Sequence, residues 1–157
     1  YDYIMYLNVR GPFFLMQDAV KLMKRDRVAG TIVNILSASA HGGQPFLTPY
    51  SMSKGALLTL TKNVAFALMR DHIRVNGLAV GWMDTPGEDA TVRKYHGKTD
   101  GWLAEAEKTQ PWGRLVKPDE VARACAYLAS AESGLISGAI LDIAQTVLGA
   151  HVNAPQP

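Results

Sequence analysis

Thr31-Ile32-Val33-Asn34-Ile35-Leu36 is a short run rich in β-branched residues, with Gly30 before it and small residues from Ser37 to Gln44 after it. A run of this kind, bounded by turn residues, reads as a buried strand. The loop that follows has Gly42-Gly43 at its centre. Thr48-Pro49 then predicts a helix start, with a hydroxyl cap and proline in the first position. Leu57, Leu60, Val64 and Leu68 give that helix an apolar stripe, and it should run to about Arg70. Ile73 to Ala79 reads as a second buried strand. Strand, helix and strand in this order predict a parallel α/β arrangement.

The same reading extends in both directions. Residues 3–25 predict an amphipathic helix, with Ile4, Leu7, Phe14, Ala19, Leu22 and Met23 at helical spacing and Lys21, Lys24 and Arg25 at a basic C-terminal end. Pro12 inside it predicts a kink or a locally irregular turn. Residues 81–116 carry Trp82, Pro86, Gly87, Gly97, Pro111, Trp112 and Gly113 and read as irregular, with a short helix near Trp102 to Lys108. A segment this long inside a compact domain reads as a substrate lid. Pro118-Asp119-Glu120 opens a further helix that buries Val121, Ala124, Cys125 and Leu128. Gly138 to Ile143 reads as a third strand. Residues 1–149 thus form one domain, and 150–157 read as a loose tail. The expected fold is a doubly wound, Rossmann-like parallel sheet. Only three strands are legible and no G-x-G-x-x-G turn is present, so the N-terminal half of such a fold is missing from this sequence. A sheet cut this way should leave an apolar edge exposed.

Composition removes several function classes. Of the 157 residues 48% are hydrophobic and 19% charged, as in an ordinary globular protein. A net charge of +2 without a Lys/Arg cluster among aromatics speaks against nucleic acid. No apolar run approaches the roughly 18 residues of a membrane span, and no signal peptide is visible. A single cysteine, Cys125, excludes an internal disulfide and fits a reducing, cytoplasmic compartment. His41, His72, His96 and His151 show no paired ligand spacing, so no metal is expected.

Tyr50 and Lys54 carry the clearest chemistry. Four residues is about one helical turn, so phenol and ammonium project from one face. A cation beside a phenol favours the phenolate, which prepares it to exchange a proton with an alcohol or carbonyl near neutral pH. Ser37 stands thirteen residues upstream of Tyr50. Read alone, each residue has a plainer meaning. Tyr50 packs on a lysine stem, Ser37 caps a loop, Asn8 faces solvent from a helix. Cys125 and Met5, Met16, Met23 and Met52 read as packing residues, His96 as a solvated loop histidine and Trp102 as an anchor for the short helix. Ser39, Gln44, Trp82, Met83 and Glu88 are candidates to line a pocket of mixed polarity, suited to a hydroxylated compound.

Five segments together resemble the C-terminal half of a classical short-chain dehydrogenase/reductase: Asn8 to Phe14, Ile32 to Ser37, the Tyr50-x-x-x-Lys54 motif with its Ser-Lys ending, Arg74 to Gly81, and Trp112 to Ala122. The likeness runs from Asp2 to about Leu148. The resemblance implies that Tyr50 is the general acid/base and that Lys54 lowers the Tyr50 pKa and holds the nicotinamide ribose. Ser37 donates to the substrate oxygen, and Asn8 holds a water linking Lys54 to solvent. Gly81, Met83 and Thr85 occupy positions that touch the nicotinamide amide and the diphosphate, largely through backbone. The cofactor is NAD or NADP. Val80 stands where the family usually has proline, which predicts a looser turn, and Ala144-Gln145-Thr146 replaces the usual Asp-Gly-Gly. Two functions follow. The first is an NAD(P)-dependent oxidoreductase interconverting a secondary alcohol and a ketone, on a small polyol or sugar-like substrate. The second is a truncated, non-catalytic fragment acting as an oligomerisation module. Either way, helices 3–25 and 48–70 would pair in a homodimer or homotetramer.

Overall fold

A computed structural model of the chain describes residues 1–42, 44–97 and 99–147. Gly43 and the tail expected at 150–157 lie outside the described residues, as does the end of the 1–149 domain. Three strands, β1 (Thr31–Ser37), β2 (Arg74–Val80) and β3 (Ile140–Ile143), form one parallel sheet in the order β1-β2-β3. Ser37 is opposite Val80, and Val80 is opposite Ile143, so the C-terminal ends of all three strands share one edge. β3 starts two residues later than Gly138, and the approach to it is held both by backbone, with Gly138 N–H donating to the Val75 carbonyl at 2.8 Å, and by a side chain. Fully buried Asn76 donates to the Ile136 carbonyl (2.8 Å) and accepts from Ala139 N–H (3.1 Å).

Both faces of the sheet are covered, as parallel strands require. Side chains alternate along β2. Val75 and Ala79 pack toward α3 (Thr48–Ala67) with Leu57, Ala65 and Leu68, while Leu78 and Val80 meet Val121 and Leu128 of α6 (Pro118–Ala129). The buried stripes expected on α3 and α6 are thus present. Thr48 is not the cap: Leu47 holds the N-cap position, and the Thr48 hydroxyl donates to the Pro45 carbonyl at 2.7 Å. α3 also stops at Ala67, and one 3₁₀ turn, Met69–Asp71, follows.

The first helical segment departs further from expectation. It comprises α1 (Asp2–Met5), a π-helical turn (Tyr6–Arg10) and α2 (Gly11–Arg25). Pro12 has no N–H to give to the preceding turn, and the irregularity expected of it is this widened turn. The stripe predicted to be buried is mostly not. Leu7, Phe14 and Leu22 are exposed, and in α2 only Met16 is fully covered. Met16, Val20 and Met23 pack on the core, whereas Phe14, Leu15 and Leu22 stay uncovered among the described residues. β1 likewise pairs on one side only, and Ile35 is 46% exposed. Met52, expected to pack, is half exposed.

Residues 81–116 hold more helix than expected. α5 (Trp102–Lys108) matches the expected short helix, and α4 (Pro86–His96) was not foreseen. Thr85 caps α4 by accepting from Glu88 N–H at 3.0 Å. Val92, Trp102, Ala106 and Leu115 form a small core of their own beneath these helices.

Candidate active site

Tyr50 and Lys54 lie on one face of α3, with Lys54 Nζ 5.7 Å from the centre of the Tyr50 ring. The ammonium donates to the Ile35 carbonyl of β1 at 3.0 Å, so the helix is pinned to the strand at this point. Burial pulls the Lys54 pKa below the ordinary lysine value. Next to it, Ser53 is fully buried. Its hydroxyl donates to the Tyr50 carbonyl at 2.7 Å and accepts from Asn8 Nδ2 at 3.1 Å. Asn8 therefore does not face solvent. The π turn aims its amide at α3, one residue from Lys54. Sequence reasoning missed the part played by Ser53, although the Ser-Lys ending of the motif contained it.

Ser37 ends β1 at the shared strand edge, and its hydroxyl accepts from Ser39 N–H at 3.1 Å. The loop then turns onto α3. A Cβ on Gly55 would meet the Ala40 carbonyl at 3.3 Å, so the glycine after Lys54 lets the serine loop sit close to the helix. Ser39 is buried and hydrogen-bonded to Gln44, which is exposed at the loop's far end. His41, on the same loop, reaches Asp142 of β3 at 3.8 Å.

Gly81 follows β2 directly. Its N–H donates to the Ile143 carbonyl at 2.9 Å, and a Cβ there would be 3.0 Å from Ala144. The turn expected to be loose without proline is tied down: Val116 N–H donates to the Trp82 carbonyl (2.9 Å), Asp84 N–H donates to the Val116 carbonyl (3.0 Å), and Met83 bridges to Val116. The indole of Trp82 donates to Glu88 at 2.6 Å and stacks on Trp102 with ring centres 6.1 Å apart. Trp102 is buried and donates to Asp89 at 2.6 Å, so it does anchor α5. Trp82 itself stays 40% exposed.

A cavity of about 660 Å³ runs along the outer edge of β1. Asn8 and Lys54 reach it, with Pro12, Met16, Ile32 and Val33, whereas Ser37, Tyr50 and Trp82 do not. The structure thus divides the candidate residues between this groove and the strand ends. Among the described residues no three His, Cys, Asp or Glu side chains are placed to hold a metal ion. Nor is any helix there long and apolar enough to cross a membrane.

A family model described as enoyl-(acyl carrier protein) reductase matches residues 1–145. Galactitol 2-dehydrogenase of Agrobacterium fabrum is 33% identical over 142 residues, covering 87% of this chain and 55% of that protein. Ligand-free aldohexose dehydrogenase of Thermoplasma acidophilum superposes with a TM-score of 0.82 at 29% identity, over 95% of this chain and 60% of that one. NAD+-bound xylitol dehydrogenase gives 0.78 at 25% identity, over 88% and 56%. The chain spans about half the length of the curated relatives it matches. The strand-end serine, the tyrosine–lysine pair and these likenesses place the chain in the short-chain dehydrogenase/reductase family.

Proposed function

We propose that the protein of which this chain is part is an NAD(P)-dependent oxidoreductase that interconverts a secondary alcohol and a ketone. The observation that carries this reading is the Tyr50–Lys54 pair on one helical face, pinned to the strand that ends in Ser37. The residues present fit the nicotinamide end of such a cofactor. Lys54 has one hydrogen bond among the described residues, to Ile35, and keeps further ammonium donors for ribose hydroxyls. The Thr85 hydroxyl accepts from Glu88 and retains its own proton to donate. Gly81 and Met83 offer backbone at the strand ends. The bound nicotinamide would supply or accept the hydride.

The chain's own groups handle the oxygen and the proton. Ser37 and Tyr50 place two hydroxyls at the carbinol oxygen, and Tyr50 takes its proton in oxidation or returns it in reduction. Lys54 supplies positive charge beside the phenol. Asn8, through Ser53, fixes the helix turn that presents both, and would hold a water leading from Lys54. Ser39, Gln44 and Trp82 would line the substrate side, under a lid made of residues 81–116. Galactitol and aldohexoses are the compounds named for two relatives, which favours a small polyol or sugar-like substrate. The exposed Phe14, Leu15 and Phe66 on the helices around residues 3–25 and 48–70 favour their pairing in a homodimer or homotetramer. We place the protein in the cytoplasm, consistent with its lone, unpaired Cys125.

The test is nicotinamide-linked turnover of the intact protein on a panel of polyols and aldoses. Tyr50→Phe is expected to lower kcat by about 10²–10⁴-fold. Unchanged turnover would overturn the mechanism.

A further inference from the structure

Val80 removes the proline that would stiffen the turn at Gly81, yet that turn is held on three sides. Two of the contacts are backbone ones already described, from Ile143 to Gly81 and from Val116 to Trp82 and Asp84. The third is indirect: a side chain grips the strip that carries Val116. Gln145 lies two residues past the end of β3. Its Oε1 accepts from Trp112 N–H at 2.8 Å, and its Nε2 donates to the Arg114 carbonyl. A side-chain amide that accepts from one backbone group and donates to another two residues on behaves like a neighbouring strand. It closes a ring of three segments. Residues 81–85 are bonded to 112–117, these to 144–145 through Gln145, and 144–145 back to Gly81 by contact with Ala144. A glycine at 145, as in the usual Asp-Gly-Gly, would have no side chain to close it.

We propose that Gln145 is a positioning residue for the cofactor-side turn. By holding Trp112 and Arg114 against the end of β3, it fixes the strip that in turn bonds Trp82 and Asp84, and so sets where Gly81 to Thr85 present backbone and hydroxyl to the nicotinamide. The clamp stands in for the rigidity that proline would supply. Beyond Arg114 the strip is continued by Glu120, which accepts from both Arg114 and Lys117 N–H. Arg114 is thus held from two sides, and Gln145 is the link nearest the strand ends.

The proposal rests on the oxidoreductase reading only for its effect on nucleotide binding, so two measurements on the intact protein separate them. The first is residue-resolved amide hydrogen exchange in wild type, Gln145→Ala and Gln145→Glu. Gln145→Ala should raise exchange at Trp112 and also at Val116 and Asp84, which Gln145 does not touch. Gln145→Glu keeps an acceptor for Trp112 and loses the donor to Arg114, so it should spare Trp112 and still loosen Val116 and Asp84. Acceleration confined to Trp112 would overturn the positioning role and leave a local contact. The second is titration with NADH and with NADPH. Gln145→Ala should weaken whichever binds by about fivefold, the size of a net hydrogen bond, with kcat within about twofold once the sites are saturated. Equal affinity in wild type and variant would overturn the proposal. If neither nucleotide binds wild type, the oxidoreductase reading fails, and the exchange at Val116 and Asp84 alone upholds or overturns the clamp.

Discussion

Ser53 is fully buried and joins Asn8 to the Tyr50 carbonyl, whereas Arg93 has a side chain 43% exposed and joins Asp89 to Asp100 across the lid proposed for residues 81–116. Around Tyr50 the hydrogen bonds end on backbone: Ser53 on Tyr50, Lys54 on Ile35. In the lid the tryptophans and Arg93 bond to other side chains, mostly in water: Trp82 to Glu88, Trp102 to Asp89, Arg93 to two aspartates. A bond to backbone is fixed by the fold, and where its side chain is buried, as at Ser53, losing it costs that group's desolvation. A bond between exposed charges contributes little and can be exchanged without moving the chain. The two regions suit different tasks. One would hold the proposed proton-transfer geometry constant, and the other could change its lining while the scaffold stays.

The sharpest way to break this comparison is kinetic. Lys54→Met keeps most of the side-chain volume and removes the charge and the bond to Ile35. It is expected to lower kcat by about 100-fold or more, while Arg93→Ala leaves kcat within about twofold and acts on KM. Steady-state kinetics on the best substrate of a polyol panel would check it. Equal losses from the two substitutions would show that the lid is as rigid a part of the machinery as the helix. A smaller effect is expected in stability. Ser53→Ala leaves the half-buried Asn8 amide without its acceptor and should cost about 1–3 kcal/mol in urea unfolding. Asp100→Ala, which breaks an exposed ion pair, should leave the urea midpoint nearly unchanged. A reversal of that order would mean that the π turn tolerates solvent and that the lid does not.

The contrast also explains what could be read from the residues. β1, β2, α3 and α6 were legible because burial on a regular lattice leaves a periodic pattern, as with Val121 and Leu128 or Leu57 and Leu68. Tyr50 and Lys54 were legible because helical spacing alone puts them on one face. α4 was hidden. It buries only Val92 among eleven residues, and its marks are the Thr85 cap and Asp89 and Arg93 one turn apart, features without an apolar period. The stripe on α2 misled for the opposite reason. It is periodic, but the described residues cover only its Met23 end and leave Leu7, Phe14 and Leu22 exposed, and an apolar period records a partner without saying where that partner lies. Ser53 and Gln145 were missed as functional residues because a hydroxyl or an amide shows its role only through the groups it meets.

The smallest predicted effect lies at the foot of the lid and follows from pH. Both oxygens of Glu120 are engaged by Arg114, at 2.8 and 2.7 Å, and Lys117 N–H donates to one of them at 2.9 Å. Arg114 first and Lys117 second draw the carboxyl down to about 2. An unfolded glutamate titrates near about 4.3. Between these values the unfolded chain binds a proton that the folded chain does not. The stabilisation from this group is therefore complete above about 4.3 and is lost as the pH falls toward about 2. Glu120→Gln removes the titrating group and should flatten that part of the curve. Urea midpoints at about pH 5 and about pH 3 should draw closer together in the variant than in wild type. If the two proteins lose stability equally over that interval, the Arg114–Glu120 pair is open in solution. The foot of the lid would then be as loosely held as its exposed rim, and the strip carrying Val116 would keep only Gln145 and its bonds to Trp82 and Asp84.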